Sequence, residues 1–351
     1  MSYMSKPQFR HPHTAKNDIG FTRRDYEGSM STLCAGCGHD SISSAIMQAV
    51  FELSIEPHRI VKLSGIGCSS KTPTYFLGKS HGFNSVHGRM PSIATGANLA
   101  NKDLFYLGVS GDGDSASIGL GQFAHVIRRR LNMLYIIENN GSYGLTKGQS
   151  SATADLGSKS KQGETNIYNP IDVVSLAIDL GATFVARSFS GDKEQLVPLI
   201  KAGLMHPGFA MIDCLSPCVT FNDHVGSTKS YDYIREHNRA VNKTDFIPMK
   251  DEISVSYPEG ATEVIRSHDG SELRLQKLDS EYNPVNRVAA LEQVVRARHN
   301  GTILTGLFYV DTEAKDLHQV FNTSSTPLSQ LNENRLCPDS DQLKLINQSL
   351  R

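Results

Sequence analysis

Two short motifs carry the first candidate chemistry: Gly111-Asp112-Gly113-Asp114 and Glu138-Asn139-Asn140. Asp112 and Asn140 stand 28 positions apart. A carboxylate oxygen, an amide oxygen and a backbone carbonyl just beyond Asn140 form a hard oxygen donor set, the kind a divalent cation takes when it bridges a diphosphate to protein. Gly111 and Gly113 let the backbone come close to phosphate oxygens. Asp114, only 26 positions from Asn140, fits the ligand role less well.

Six cysteines supply the second candidate chemistry. Cys34-Ala35-Gly36-Cys37 is a C-x-x-C knuckle, Cys68 lies in a glycine-rich loop (Gly65-Ile-Gly-Cys68-Ser-Ser), and Cys218 lies in Ser216-Pro217-Cys218. All three segments are loops at the edges of expected strands or helices, so they can converge. Four thiolates suit a zinc ion or a cubane [4Fe–4S] cluster. Structural zinc more often uses two knuckles, so one knuckle with two dispersed cysteines leans toward iron–sulfur. Cys214 closes an apolar strand and reads as a core thiol. Cys337, in a polar tail, reads as an unrelated thiol. His39 reads as a loop histidine with a local hydrogen bond, a Cys₃His zinc site being the alternative.

The elements that must position these residues alternate in the α/β manner. Strands are expected at 60–63, 104–109, 133–137, 182–186 and 209–213. Helices are expected from Asp40, over 117–130, 171–180 and 192–204, and from Val288. Such alternation predicts a doubly wound, mainly parallel sheet with helices on both faces and ligands beyond the carboxyl ends of strands. Both oxygen-donor motifs fall at such ends. A helix starting near Ser117 would turn free N–H groups toward the same anion. Residues 1–28 read as an irregular arm, 29–230 as the α/β domain, and 231–351 as an extension that contacts a partner or is partly disordered.

Composition narrows the function classes. The 351 residues are 39% hydrophobic and 20% charged, enough apolar material for a sizeable core. Lys and Arg number 35 against 36 Asp and Glu, so the electrostatic footprint of a nucleic-acid binder is missing. No stretch approaches a membrane span and no secretory signal is visible, which makes the cytoplasm the expected location.

The ordered set of motifs resembles the beta subunit of the 2-oxoacid:ferredoxin oxidoreductases, of the 2-oxoglutarate synthase type. It comprises Cys34-Ala-Gly-Cys37-Gly-His39, Gly65-Ile-Gly-Cys68-Ser-Ser-Lys71, His87-Gly-Arg89-Met-Pro, Ala94-Thr-Gly96, Gly111-Asp-Gly-Asp114, Asn140-Gly-Ser-Tyr143-Gly-Leu-Thr-Lys147-Gly-Gln149 and Ser216-Pro-Cys218. The knuckle has Ala35 where the family usually has proline, which alters loop stiffness and leaves the sulfurs in place.

The resemblance implies a thiamine diphosphate-binding fold. It makes Asp112, Asn140 and the carbonyl of Ser142 the Mg²⁺ ligands, and Cys34, Cys37, Cys68 and Cys218 the ligands of a [4Fe–4S] cluster. Ser69, Gly111, Gly113 and Leu145 would line the cofactor, and Lys71 and His87 would contact it or the 2-oxoacid. Lys147, in the loop that helps set substrate choice, would pair with the distal carboxylate of 2-oxoglutarate. The implied reaction is oxidative decarboxylation to succinyl-CoA and carbon dioxide, with coenzyme A as co-substrate and single electrons passed to ferredoxin. Only one α/β domain is legible, so an alpha subunit carrying the pyrimidine-binding domain and its activating glutamate is expected, probing toward an (αβ)₂ assembly. The alternatives are a non-redox thiamine decarboxylase or carboligase subunit with a structural zinc, or pyruvate or broad 2-oxoacid specificity.

Overall fold

The computed structural model describes residues 13–160, 163–216, 218, 220, 256–266, 272–278, 282–300, 302–337 and 339–350. Residues 1–12 of the expected arm and the expected boundary at 230/231 lie outside them. In chain order the elements are α1 His39–Glu52, β1 Ile60–Ser64, β2 His81–Asn84, α2 Met90–Ala100, β3 Phe105–Gly111, α3 Leu120–Arg128 and β4 Met133–Asn139. A short ribbon follows, β5 Ser142–Tyr143 and β6 Gln149–Ser150, then α4 Val173–Leu180, β7 Phe184–Phe189, α5 Lys193–Met205 and β8 Phe209–Leu215. Beyond these lie β9 Thr262–Arg266, β10 Glu272–Lys277, α6 Arg287–His299, β11 Ile303–Val310, α7 Leu317–Phe321, α8 Glu333–Leu336 and α9 Ser340–Ser349.

The central strands are apolar along their length because both sheet faces are covered. Every residue of β1 and β7 is buried, as is all but the last of β4 and of β8. Ile42, Ala45, Ile46, Ala49 and Val50 recur at helical spacing on α1 and bury one face of it. With α5 they build the core on one side of the sheet, and α2, α3, α4 and α6 pack on the other. The Asp172 and Asp192 side chains cap α4 and α5 by accepting from Ser175 and Gln195 amides.

Nine described strands form one sheet in the order β2-β1-β3-β4-β8-β7-β11-β10-β9. Strands β2 through β7 of that order run parallel, β11 is antiparallel to β7, and β9 to β10. The doubly wound, mainly parallel expectation therefore holds. The chain leaves β1 outward to edge strand β2 and returns to β3, so the strand order reverses between β1 and β3. A crevice opens there at the carboxyl ends.

Four expectations change. Part of residues 231–351 completes the sheet: β9, β10 and β11 extend it beyond β7. The arm is anchored at Tyr26, which is fully buried, packs edge-on to Phe51 and accepts a hydrogen bond from Asn17. The tail includes α9, whose Leu343, Leu345 and Ile346 are exposed. The helix expected from Ser117 starts earlier, as a π-helical segment Gly113–Ile118, and continues as α3 from Leu120. The N-terminal end of this segment, at Asp112 and Gly113, meets the crevice.

Candidate functional site

The crevice is a cavity walled by residues 66–69 after β1, 111–114 after β3, 140–146 after β4, and His87. The motifs after the strands thus converge. Asp112 is 1% exposed. Its carboxylate accepts from the Asn140 amide at 3.4 Å, the Thr153 hydroxyl at 2.6 Å and the Ser151 hydroxyl. Burial pushes its carboxyl above the ordinary range, opposed by those hydroxyls and the Asn140 amide. Among the described residues no basic side chain is ion-paired with it. A buried carboxylate lacking a positive partner, with the Asn140 side chain and Ser142 beside it, fits a divalent cation. The Asn140 Oδ1 accepts from the Ser142 amide at 3.0 Å, and the Ser142 hydroxyl is buried without a partner.

Gly113 is required by the ribbon that closes over it. A Cβ there would lie 2.5 Å from the Tyr143 ring, and Tyr143 donates its hydroxyl to the Gly113 carbonyl at 3.1 Å. The Tyr143 ring also meets His87 edge to face. Ser69 is buried in the cavity wall, close to Gly111, and Leu145 reaches the cavity from the ribbon tip.

Asp114, which sequence spacing demotes as a metal ligand, is a hub instead. Its carboxylate holds the His87 ring and accepts the Gly88 amide at 2.7 Å and the Ile66 amide at 3.3 Å. Its other oxygen accepts from Ser110. A Cβ on Gly65 would fall 1.9 Å from that oxygen, so glycine is needed there. Asp114 therefore ties the ends of β1 and β3 to the His87 loop.

The cysteine loops meet beside this cavity, and Cys68 is part of its wall. Burial pushes the Cys68 thiol up, and the nearby Cys218 and Cys34 push it further, with Lys71 opposing. Cys37 is buried and pushed up to about 12, first by burial, with Glu138, Asp40 and Cys34 adding and the His39 amide opposing. Thr220 donates to the Cys34 sulfur at 3.4 Å and Ser216 to the Cys37 carbonyl at 3.2 Å, so the loop after β8 lies on the knuckle. Thiols that raise one another's proton affinity need cationic charge to become thiolates, which a metal ion or an iron–sulfur cluster would supply. Among the described residues no three His, Cys, Asp or Glu side chains are gathered as a single metal ion would gather them.

Cys214 is fully buried in the core, as its strand position suggests, and Cys337 is exposed. His39 is not a loop residue: it opens α1, fully buried. Neither of its ring nitrogens has a hydrogen-bond partner, and Glu138, itself fully buried, lies 3.7 Å away. Burial holds the His39 pKa at about 4 and the Glu138 carboxyl well above the carboxylate range. Lys71 and Lys147 do not line the cavity; both are exposed, Lys71 beside Cys68 and Lys147 at the tip of the ribbon.

Residues hidden in the sequence support these loops. The buried Lys62 on β1 donates to the carbonyls of Pro73, Phe76 and Leu77, pinning the segment that carries Cys68, Ser69 and Lys71. Burial lowers its pKa to about 8. A buried lysine in an apolar strand was the available signal. Ser151 and Thr153 gave none, since hydroxyls are ordinary in polar loops.

Residues 65–214 match the family described as thiamine pyrophosphate enzyme, C-terminal TPP binding domain. The chain is 43% identical over 227 residues to a 2-oxoacid:ferredoxin oxidoreductase subunit beta of Saccharolobus solfataricus, covering 64% of this chain and 72% of that one. It is 42% identical over 191 residues to the 2-oxoglutarate oxidoreductase subunit KorB of Mycobacterium tuberculosis, covering 54% of this chain and 51% of that one. In structure it is similar to a 2-oxoglutarate:ferredoxin oxidoreductase from Magnetococcus marinus solved with 2-oxoglutarate, coenzyme A and succinyl-CoA bound. The TM-score is 0.72 at 28% identity, over 96% of this chain and 98% of that one.

Proposed function

The chain belongs to the beta subunits of the 2-oxoacid:ferredoxin oxidoreductases, and from that premise we propose that its enzyme decarboxylates 2-oxoglutarate oxidatively to succinyl-CoA. The names of the 2-oxoglutarate relatives and the ligands of the solved neighbour support this substrate. The observation that carries the reading is the position of Cys68. One loop after β1 supplies both a wall of the Asp112–Asn140 cavity and a sulfur of the cysteine group. Electron transfer out of a cofactor in that cavity therefore needs no moving part.

In this reading Asp112, Asn140 and the Ser142 carbonyl hold Mg²⁺, and Cys34, Cys37, Cys68 and Cys218 hold a [4Fe–4S] cluster. Thiamine diphosphate bound there would supply the electron sink that decarboxylation needs, and a cluster on the four cysteines would supply single-electron chemistry. Gly111 and Gly113 admit the diphosphate to the backbone, and Ser69 and Leu145 line its site. His87, held at Nδ1 by Asp114, lines the cavity, where its other ring nitrogen would orient the 2-oxoacid. Lys71 and Lys147 supply the positive charge at the rim, Lys147 for the distal carboxylate.

Two exposed apolar side chains, Ile66 and Leu145, line the cavity, and Val86, next to His87 in sequence, is exposed as well. Such apolar exposure beside a cavity marks a protein contact. It suits an alpha subunit that closes the site and brings the glutamate that activates the aminopyrimidine. No described helix is long and apolar enough to cross a membrane. The test is viologen or ferredoxin reduction by the copurified complex with CoA, run in parallel on 2-oxoglutarate and pyruvate. Higher kcat/KM with 2-oxoglutarate supports the reading; higher kcat/KM with pyruvate refutes the substrate, and no CoA-dependent reduction with either refutes the activity.

A further inference from the structure

The ribbon β5–β6 leaves the cavity at Asn140 and returns to it at Ser151. Ser142 pairs with Ser150 and Tyr143 with Gln149, and the Ser151 amide donates to the Gly141 carbonyl. At the tip, the Lys147 amide donates to Gly144 and the Gly148 amide to Tyr143. On the returning limb two hydroxyls, Ser151 Oγ and Thr153 Oγ1, both donate to the same Asp112 carboxylate oxygen. Thr153 Oγ1 also lies 3.0 Å from Asn139 Oδ1, whose amide nitrogen donates to the buried Asp213. Asp213 is in turn held by Arg187. The hydroxyls therefore sit between the Asp112 carboxylate and a fixed polar network in the sheet.

We infer that Ser151 and Thr153 are positioning residues that aim Asp112 at the cation and anchor the ribbon carrying Lys147, so that metal affinity and ribbon order depend on the same two hydroxyls. The inference rests on the reading of Asp112 as a cation ligand. A carboxylate freed of both donors can rotate away from the Asn140 side, and the ribbon loses two of its side-chain ties to the metal turn, keeping the Tyr143 hydroxyl on the Gly113 carbonyl and the Ala152 amide on the Ser117 hydroxyl. Outer partners of ligating carboxylates are worth 10–100-fold in metal affinity or activity.

The test uses the full chain copurified with its partner subunit and saturated with thiamine diphosphate. Mg²⁺ is titrated after chelation, and amide exchange of the peptide spanning 141–154 is followed by mass spectrometry. Thr153→Val and the Ser151→Ala/Thr153→Val double variant are expected to weaken Mg²⁺ binding by roughly tenfold or more and to speed exchange of that peptide. Thr153→Ser, which keeps the hydroxyl, is expected to restore both. Either readout at its wild-type value in the double variant overturns the inference. Asp112→Ala separates the two levels. If it binds Mg²⁺ as wild type does, the cation reading falls together with the inference. If it loses Mg²⁺ while the double variant does not, the inference alone falls.

Discussion

Lys147 is held in a backbone conformation that its side chain disfavours. Its φ is +81°, in the left-handed region where a Cβ costs roughly 1–2 kcal/mol. Glycine at 147 would relieve that strain and lose about 0.5–1 kcal/mol through its freer unfolded chain. The balance leaves stability unchanged or raised by up to about 1.5 kcal/mol. A charge-assisted bond from an exposed lysine to a substrate carboxylate sits near the low end of its range, about 1.5 kcal/mol, or roughly tenfold. Lys147→Gly is therefore expected to move stability and selectivity in opposite senses. The thermal midpoint of the complex should not fall. The ratio of kcat/KM for 2-oxoglutarate to that for pyruvate should drop roughly tenfold, with the pyruvate value itself within about twofold of wild type. The assay is CoA-dependent viologen reduction, with thermal unfolding in parallel. An unchanged ratio would refute the pairing and leave Lys147 as a solvated loop residue.

The remaining expectations concern the scaffold. Arg187 pairs with Asp213 at 2.7 Å and Asp172 at 3.0 Å, all three largely buried. Arg187→Met strands two carboxylates and should cost about 3–5 kcal/mol in urea unfolding; a loss under about 1 kcal/mol would contradict the network's role. His39 is 2% exposed with its pKa lowered from 6.5 to about 4, so the unfolded chain binds the extra proton between those values. Stability from the neutral imidazole is complete above pH 6.5 and lost as pH falls toward 4, on the order of 3 kcal/mol. With His39 in place the protein should lose that much relative to His39→Leu across the window, and parallel unfolding free energies would contradict it. Glu138, whose pKa is raised and which lies 3.7 Å from His39, pulls the other way above 4.5, so the comparison is made in a Glu138→Gln background.

The sequence was most informative where chemistry and element ends coincide. The spacing of Asp112 and Asn140 implies two neighbouring strand ends, and β3 and β4 are indeed adjacent. The apolar runs of β4 and β8 name a sheet covered on both sides. Edge elements were harder to see. All four residues of β2 are exposed, so no burial pattern marks it. Edge strand β9 carries the exposed Glu263, a charge of the kind that discourages further pairing. The run Ile303-Leu-Thr-Gly-Leu-Phe-Tyr-Val310 was not among the expected strands, and its place in the sheet was hidden because its antiparallel partner β7 lies over a hundred residues earlier. Asp114 looked like a spare copy of Asp112. Its hydrogen bonds to residues 66, 87 and 88 join segments that no local spacing connects.

The central claim is that a cluster held by Cys34, Cys37, Cys68 and Cys218 accepts electrons from a cofactor anchored at Asp112 and Asn140. Its most direct test is electron paramagnetic resonance of the anaerobically purified complex, before and after 2-oxoglutarate and coenzyme A, with iron, sulfide and zinc measured on the same sample. The account predicts equal iron and sulfide, and a reduced-cluster signal that appears with substrate in wild type and fails to appear in Asp112→Ala. Zinc without sulfide, or a cluster whose spectrum ignores the substrate, would contradict it.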